Sequence, residues 1–305
     1  LRGVGVSAAA AAAVIGTSAG MTLGPAAGTA NLAAKTAGLD PIIDFVQCQL
    51  PVAIPTLIAV CICHYFVQKY YDNKNDDVYA EATEAKKVDA PEVPVWYALF
   101  PWLPVILMIV FSKLVVTSIT IHTVSALMLV WILVVVVELI RLRDPKRVLK
   151  DAVTFFQAVG KMFAGIVSLI ICAEFFASAL KVSGLITILI DSAQGVGAGM
   201  NFMTVILTSI VGLVTFLTGS GVGAYSSFAA LAPDVAAGLG GTVTSLVTPM
   251  QFASGMLRAM SPVAGVIIAV AGAAGVSPMA IVRRTAMPML VGMLVTIVAN
   301  AVFLG

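Results

Sequence analysis

Residues 262–288 read PVAGVIIAVAGAAGVSPMAIVRRTAMP, and residues 25–51 read PAAGTANLAAKTAGLDPIIDFVQCQLP. The two stretches align without a gap at a constant offset of 237 residues. Shared alanines mean little in an Ala-rich chain, but prolines and glycines have specific backbone roles. The match therefore predicts an internal structural repeat. The shared residues of this kind are Pro25, Gly28, Gly38, Pro41 and Pro51, which recur as Pro262, Gly265, Gly275, Pro278 and Pro288.

The composition indicates that the solvent of this chain is a lipid bilayer. Hydrophobic residues make up 60% of the sequence and charged residues 10%, against about 25% charged in soluble domains. The stretch 119–137 contains no charged residue. The net charge of +2 and the absence of a basic face argue against nucleic-acid binding. The sequence thus predicts an all-α, polytopic transmembrane helix bundle.

Charge is concentrated between the predicted spans. Of the 32 charged residues, 18 lie in the segments 69–94 and 141–151. The second segment has five Lys or Arg, so the positive-inside rule places it in the cytoplasm. Working backwards through the spans near 117–140 and 95–111 makes 69–94 a cytoplasmic linker as well.

The two copies of the repeat differ in charge at the turn before their last helix. Asp40 and Asp44 occupy this turn in the first copy, and Arg283 and Arg284 occupy it in the second. By the same rule, the copies are expected to have opposite orientations across the membrane, with the C-terminus outside. Inverted repeats with broken helices are typical of secondary transporters.

The predicted organisation has three parts, and the chain is expected to be the C-terminal part of a longer protein because it begins within an Ala-rich run rather than at a methionine. Residues 1–68 are predicted to end the first repeat with a broken helix and a final span. The second repeat, 95–305, follows the linker 69–94. Within it we predict a span over 160–180, a re-entrant hairpin near 200–235, a broken helix over 245–277 and a final span over 286–304.

The helix breaks and the hairpin tip are the predicted anion site. The breaks are predicted over 16–25 and 254–262, each ending at a proline that can start a half-helix. Half-helix N-termini favour anions, and bare amides and hydroxyls at the tip can line the same cavity. The candidate substrate ligands are Thr17, Ser18 and Thr22, then Ser254, Arg258 and Ser261, and, from the tip, Thr218, Gly219, Ser220 and Gly221.

Arg258 is the only basic residue between Lys181 and Arg283. Its guanidinium could fork onto a substrate carboxylate. The alternative is a structural arginine bonded to free carbonyls of the break, or one reaching an interface. Position and charge leave both roles open.

Two further side chains, those of Glu174 and His64, are of types that can carry a function. Glu174 lies in an apolar span and is a candidate proton or cation coupling site, unless it faces water at the outer end. His64 neighbours Cys61 and Cys63, but no further ligands converge in sequence, so it is read as a helix-end histidine. No metal site, disulfide framework or cofactor is expected, and the cysteines are assigned to packing: Cys48, Cys61, Cys63 and Cys172.

Along nearly all of its length the chain resembles the DcuC family of anaerobic four-carbon dicarboxylate carriers. The resemblance is strongest at Thr218–Gly221 and at Ser261–Gly272, and it continues through Ser277–Pro278 and Arg283–Thr285. It implies a two-repeat carrier that moves fumarate, succinate or malate across the bacterial inner membrane.

Other functions fit less well. An amino-acid exchanger or a sodium/proton antiporter of the same fold is the alternative, and the antiporter would need an embedded acid such as Glu174. An intramembrane serine protease using Ser220 would need a histidine base, but His64 and His122 lie in the other half of the chain. We therefore predict a dicarboxylate transporter and not an enzyme; a homo-oligomer is compatible with this sequence.

Overall fold

The computed structural model describes residues 7–74, 94–111, 121–184 and 199–305, with the single positions 188 and 191, although between 161 and 181 it describes only some side chains. Every regular element in these ranges is helical, which confirms the all-α prediction. The helices are α1 Ala8–Gly20, α2 Gly28–Ala37, α3 Pro41–Asp44, α4 Leu50–Lys74, α5 Leu103–Val110, α6 Thr123–Leu142, α7 Pro145–Val182, α8 Gly199–Thr218, α9 Gly221–Ala229, α10 Ala232–Leu239, α11 Val243–Met260, α12 Gly265–Ala274 and α13 Pro278–Phe303.

Two shorter segments complete the list. A π-helix, Phe45–Gln49, joins α3 to α4, and a 3₁₀ segment, Val95–Leu99, precedes α5. Among the described residues, five helical stretches are long and apolar enough to cross a membrane: Pro41–Lys74, Thr123–Leu142, Gly199–Thr218, Val243–Ala274 and Pro278–Phe303.

The chain divides into two compact units. The larger unit contains residues 1–87 and 172–305, and the smaller contains residues 88–171. In the smaller unit α6 packs on α7 through Trp131, which stacks on Phe155 with ring centroids 5.1 Å apart. The span predicted over 95–111 is divided there: Val95–Leu99 is a 3₁₀ segment, and α5, with Pro104 in its first turn, has only eight residues.

Local sequence explains where the helices of the larger unit begin and end. Thr242 caps α11 by accepting a hydrogen bond from the Ser245 amide, and Ser277 caps α13, which has Pro278 in its first turn. The two short helices α2 and α12 both end at a glycine with φ of +69°, Gly38 and Gly275. Only glycine adopts this left-handed conformation without strain, so both helices stop there.

The two sequence copies have the same element order and matching bounds. The helices α2 and α12 begin and end at residues 237 apart, and the next helices start at Pro41 and Pro278. A second proline follows in each copy, Pro51 in the first turn of α4 and Pro288 inside α13. The shared prolines and glycines thus occupy equivalent backbone positions in both copies.

The last helices of the two copies, α4 and α13, pack together in antiparallel directions. Thr56 and Thr296 are hydrogen-bonded through their hydroxyls at 3.1 Å. Further along α4, the Gln68 side-chain amide donates to the Arg284 carbonyl at 3.2 Å. Positions therefore rise along α4 as they fall along α13.

Cys48 and Thr285, which are equivalent positions of the two copies, lie at opposite ends of α11. The Cys48 side chain interacts with Thr244 at the start of α11, whereas the Thr285 hydroxyl donates to the Ala259 carbonyl at its end, at 2.8 Å. The helical rise between Thr244 and Ala259 is about 22 Å. The two equivalent positions are thus separated by most of the length of α11.

Both helix breaks begin later than predicted. The sequence predicts breaks over 16–25 and 254–262, but α1 remains helical to Gly20 and α11 to Met260. The interruptions are residues 21–27 and 261–264. Glycine is unfavourable in a helix interior, but here Gly20 and Gly255 permit two helices to approach closely. Arg258 consequently lies in the last turn of α11 and not in a loop, so its predicted location was wrong.

The final helix also begins earlier than the predicted 286–304 span. Arg283 and Arg284 are part of α13, and Arg284 is 1% exposed. Its guanidinium contacts Asp72 at 2.8 Å and the Gln68 side-chain oxygen at 3.0 Å. The predicted turn position of Asp44 suggests an exposed side chain, but Asp44 is likewise fully buried.

The first copy is longer than the predicted 1–68. Its last helix, α4, continues to Lys74, so His64 lies within the helix rather than at its end. The remainder of the predicted linker, 75–93, lies outside the described residues.

Candidate functional site

The site is built around the crossing of α1 and α11. A side chain added at Gly255 would overlap the Gly20 carbonyl and the Thr22 hydroxyl, and one at Gly20 would lie 2.8 Å from the Ala259 Cβ. Both helices therefore use glycine for close backbone contact. The first break begins directly beyond this crossing, where the Gln251 side-chain amide donates to the Thr22 carbonyl at 2.6 Å.

The hairpin tip packs against this crossing. The helix α8 ends at Thr218, Gly219 follows with φ of +72°, and the Ser220 hydroxyl accepts from the Gly223 amide at 3.2 Å to cap α9. A Cβ at Gly219 would lie 2.9 Å from the Ala264 backbone, so α12 starts beside the tip. At Gly221 a Cβ would overlap the Ser254 carbonyl, so the start of α9 lies directly against α11.

A cavity of about 130 Å³ lies where these elements meet. This volume is below the roughly 300 Å³ at which pockets for drug-sized ligands begin, so the cavity suits a small guest. Its walls come from the first break and α2, from the start of α9, and from α11. The lining residues are Thr22, Ala27, Gly28, Thr29, Gly221, Val222, Ser254, Gly255 and Arg258.

Two helix N-termini border the cavity. The helix α2 starts at Gly28 without a side-chain cap, and α9 starts at Gly221. The first amides of a helix have no intrahelical partner and carry partial positive charge. Since the cavity lining contains no acidic side chain, these two ends favour a negatively charged guest.

Arg258 supplies the formal positive charge of the cavity. It is half-buried in the last turn of α11, and one terminal nitrogen donates to the Ala19 carbonyl at 2.8 Å. That carbonyl belongs to the last turn of α1 and lacks an intrahelical partner. The Arg258 Nε is buried without a partner, and none of the described acids forms an ion pair with this side chain. One guanidinium nitrogen of Arg258 therefore stabilises the helix crossing, and another remains able to form a hydrogen bond beside the cavity.

The predicted hydroxyl ligands divide into two groups. Thr22 and Ser254 line the cavity; the Thr22 hydroxyl has no partner among the described residues, and that of Ser254 donates to the Gln251 carbonyl at 2.7 Å. The others do not line it. Thr218 and Ser220 form the tip beside Gly219, Ser261 is buried in the second break, Thr17 is bonded to His64 at 3.1 Å and Ser18 to the Val14 carbonyl at 2.9 Å.

Five lining residues escaped prediction from sequence: Ala27, Gly28, Thr29, Val222 and Gly255. Gly28 carried a usable signal, since it recurs as Gly265 and stands next to a predicted half-helix start. The side chain of Glu174, the predicted coupling candidate, lies outside the described residues. Among those described, no group of three His, Cys, Asp or Glu side chains could hold a metal ion.

The chain matches a known protein family over nearly its whole length. The profile of the C4-dicarboxylate anaerobic carrier family, DcuC, matches residues 1–304. The chain belongs to the DcuC family. The match confirms the resemblance expected from the hairpin-tip and second-break motifs. With its apolar helices, this DcuC-family chain is part of a multi-pass membrane protein.

Curated relatives of this DcuC-family chain are named transporters. It is 33% identical over 307 residues to a Vibrio cholerae protein named a probable anaerobic C4-dicarboxylate transporter, with 99% of this chain and 66% of the relative covered. It is 31% identical over 298 residues to the anaerobic C4-dicarboxylate transporter of Escherichia coli K12, with 97% and 64% covered. The chain thus spans about two thirds of the length of these relatives. No solved structure matches it.

Proposed function

We propose that the full-length protein is a secondary active transporter that moves four-carbon dicarboxylates such as fumarate, succinate and malate across the bacterial inner membrane. The observation that carries the proposal is the small cavity with Arg258, two helix N-termini and no acidic side chain in its lining. The names of the relatives support transport rather than catalysis and do not favour an amino-acid exchanger or sodium/proton antiporter.

In this proposal the two carboxylates of the substrate have different partners. The Arg258 guanidinium pairs with one of them, since it has a free nitrogen and faces the cavity. The first-turn amides of α2 and α9 bind the other carboxylate, with the hydroxyls of Thr22 and Ser254. Gly221 lets the backbone approach the substrate, while Thr218, Gly219 and Ser220 shape the hairpin tip. The breaks are positioned by Ser261, Thr17 and Ser18, which do not contact the substrate directly.

Alternating access follows if the two copies form inverted repeats. The antiparallel packing of α4 and α13 supports this arrangement, as do the matching bounds of α2 and α12. The cavity lies where the copies cross, so a tilt of one copy against the other would open it to one side or the other. With the basic segment 141–151 in the cytoplasm, the C-terminus is outside.

The test is uptake of labelled succinate and fumarate into proteoliposomes that contain the full-length protein. Arg258→Ala removes a charge-assisted hydrogen bond, worth about 1.5–3 kcal/mol, and we expect the affinity for succinate to fall about 10- to 100-fold. Arg283→Ala is the matched control, because Arg283 is exposed on α13 and does not line the cavity. Wild-type affinity in the Arg258 variant would remove this residue from the site, and absence of uptake by the wild type would refute the proposed function.

A further inference from the structure

The larger unit contains a carboxyl group that the proposed substrate site does not use. Asp44 is fully buried at the start of the Pro41–Lys74 span. Its Oδ2 accepts a hydrogen bond from the Gln49 side-chain amide at 2.6 Å. Among the residues that the structure describes, none forms an ion pair with Asp44. A buried carboxyl without a cationic partner is rare unless it has a function.

The internal repeat shows that packing does not require an acid at this position. At the constant offset of 237 residues, Asp44 corresponds to Ile281, which is also fully buried. Gln49 corresponds to Ala286. The second copy therefore fills these positions with apolar side chains, whereas the first copy places a hydrogen-bonded acid and amide there. A polar pair where isoleucine and alanine suffice points to a role beyond stability.

The local backbone brings the pair together. Phe45–Gln49 forms a π-helix, whereas the corresponding residues in α13 are regular α-helix. The wider turn of a π-helix places residues five apart on one face, which is the spacing of Asp44 and Gln49. Single π-turns inside longer helices occur frequently at functional sites.

The surroundings of Asp44 suit both charge states. The Gln49 amide donates to the carboxylate, and its oxygen, which is buried without a partner, could accept from a protonated carboxyl after the amide rotates. Asp44 thus has a hydrogen-bonding partner both as the carboxylate and as the neutral acid, so it can bind and release a proton without losing that partner.

The titratable groups facing Asp44 are a thiol and a phenol, which are uncharged at neutral pH at their ordinary pKa values. They are Cys48 on the same segment and Tyr225 on α9, which interacts electrostatically with Asp44 and whose buried hydroxyl has no described partner. On the other packed helices, Lys35 of α2 is exposed, and Arg258 of α11 is engaged at the opposite end by Ala19. No described charged side chain therefore substitutes for a proton on Asp44.

Asp44 is also connected to the proposed substrate site. Tyr225 lies one helical turn beyond Gly221, where α9 begins at the cavity. The charge on Asp44 and the occupancy of the cavity thus act on the same short helix, which allows the two binding events to be coupled.

We propose that Asp44 is the proton-binding site that couples proton movement to dicarboxylate transport. One proton adds to the Asp44 carboxylate to give the neutral acid when substrate is taken up, and the same proton leaves when substrate is released on the other side. This inference rests on the proposed transport function. Among the described residues, Asp44 belongs to no group of three His, Cys, Asp or Glu side chains that could hold a metal ion, so a proton is a better fit than a metal cation.

The experiment compares wild type, Asp44→Asn and the control Asp40→Asn, all full-length, in proteoliposomes with an enclosed pH indicator. Asp40→Asn preserves the cap of α3, because asparagine caps helices as well as aspartate. Exchange of internal succinate for labelled external succinate is measured without a gradient. Net uptake is then measured with an inward proton gradient.

We expect Asp44→Asn to retain exchange but to lose gradient-driven accumulation and the accompanying internal acidification. Asp40→Asn should match the wild type in both assays. Gradient-driven uptake and acidification at the wild-type level in Asp44→Asn would overturn the inference. Uptake driven by a sodium gradient instead, and lost in this variant, would replace the proton with sodium and also overturn it.

A second variant covers the case in which Asp44→Asn does not fold. Asp44→Glu retains a carboxyl, so we expect proton-driven uptake with a shifted pH dependence; an unshifted profile would contradict the inference. Failure of the wild type to exchange succinate or fumarate would refute the proposed function itself. Exchange by the wild type with unaltered coupling in the variants would refute only the role of Asp44.

Discussion

Arg258 and Arg284 are both helical arginines of the larger unit, but only one faces an acid. Arg284 is buried and pairs with Asp72 at 2.8 Å, with Gln68 beside it. Arg258 has no acidic partner among the described residues and borders the cavity. We therefore assign Arg284 to the stability of the α4–α13 pair, and we propose that Arg258 binds the substrate.

Asp72→Asn tests the structural role of Arg284. Asp72→Asn removes the carboxylate that lies 2.8 Å from the buried Arg284 guanidinium, and Asp72 itself is partly exposed, so we expect a loss of about 2 kcal/mol, between the values for surface and buried pairs. The measurement is thermal unfolding of the purified full-length protein in detergent. The exposed, cavity-distant Arg283→Gln is the control, and an unchanged unfolding temperature for Asp72→Asn would contradict the assignment.

At the residue scale, the charge of a residue predicts only in part whether the residue is exposed. An acid or an arginine in a turn between apolar segments predicts a position at the surface. Asp40 and Arg283 fit this interpretation, but Asp44 and Arg284 are buried, because one bonds to Gln49 and the other to Asp72. These partners lie too far away, or in the wrong register for an α-helix, to be predicted from sequence spacing.

At the scale of the elements, the repeat predicted helix boundaries well where proline and glycine determine them. Gly38 and Gly275 end their helices at equivalent positions, and Pro41 and Pro278 begin the next ones. Gly20 and Gly255 misled the prediction, because a helical glycine can break a helix or permit close packing. The choice depends on a neighbouring helix that the local sequence does not identify.

Gly255→Ala tests the close packing of α1 on α11. The new methyl group would meet backbone atoms of Gly20 and so force the helices apart, with an expected loss of about 1–3 kcal/mol and reduced succinate uptake. Gly272→Ala is the matched control, since Gly272 is helical and nothing lies within 4 Å of an added Cβ. Equal unfolding temperatures and uptake rates for the two variants would contradict the close crossing.

At the scale of the whole molecule, the proposed alternating access requires two copies that face opposite sides of the membrane. We expect a membrane-impermeant maleimide to label Asp40→Cys and Arg283→Cys from opposite sides, in full-length protein with its native cysteines replaced. Both positions are at least partly exposed, which Asp44 is not. Labelling of both cysteines from the same side would contradict the inverted arrangement.

The sequence predicts a repeated unit, a hairpin tip and an arginine between them, but it does not show which residues line a common cavity. Thr22, Gly221, Ser254 and Arg258 were predicted separately, and the structure brings them to one cavity. Thr17 and Ser18 were included because they lie in the same predicted break, yet the helix continues through them and turns their hydroxyls to other partners. Which face of a helix meets a neighbour is decided by tertiary packing.

Protection of the cavity wall by substrate is the sharpest test of whether the dicarboxylate binds there. Thr22→Cys, in full-length protein without other cysteines, places a thiol in the cavity wall. We expect succinate to slow its alkylation, propionate with its single carboxylate to slow it less, and Arg258→Ala to abolish the protection. Alkylation at the same rate with and without saturating succinate, in protein that still transports succinate, would show that the dicarboxylate binds elsewhere.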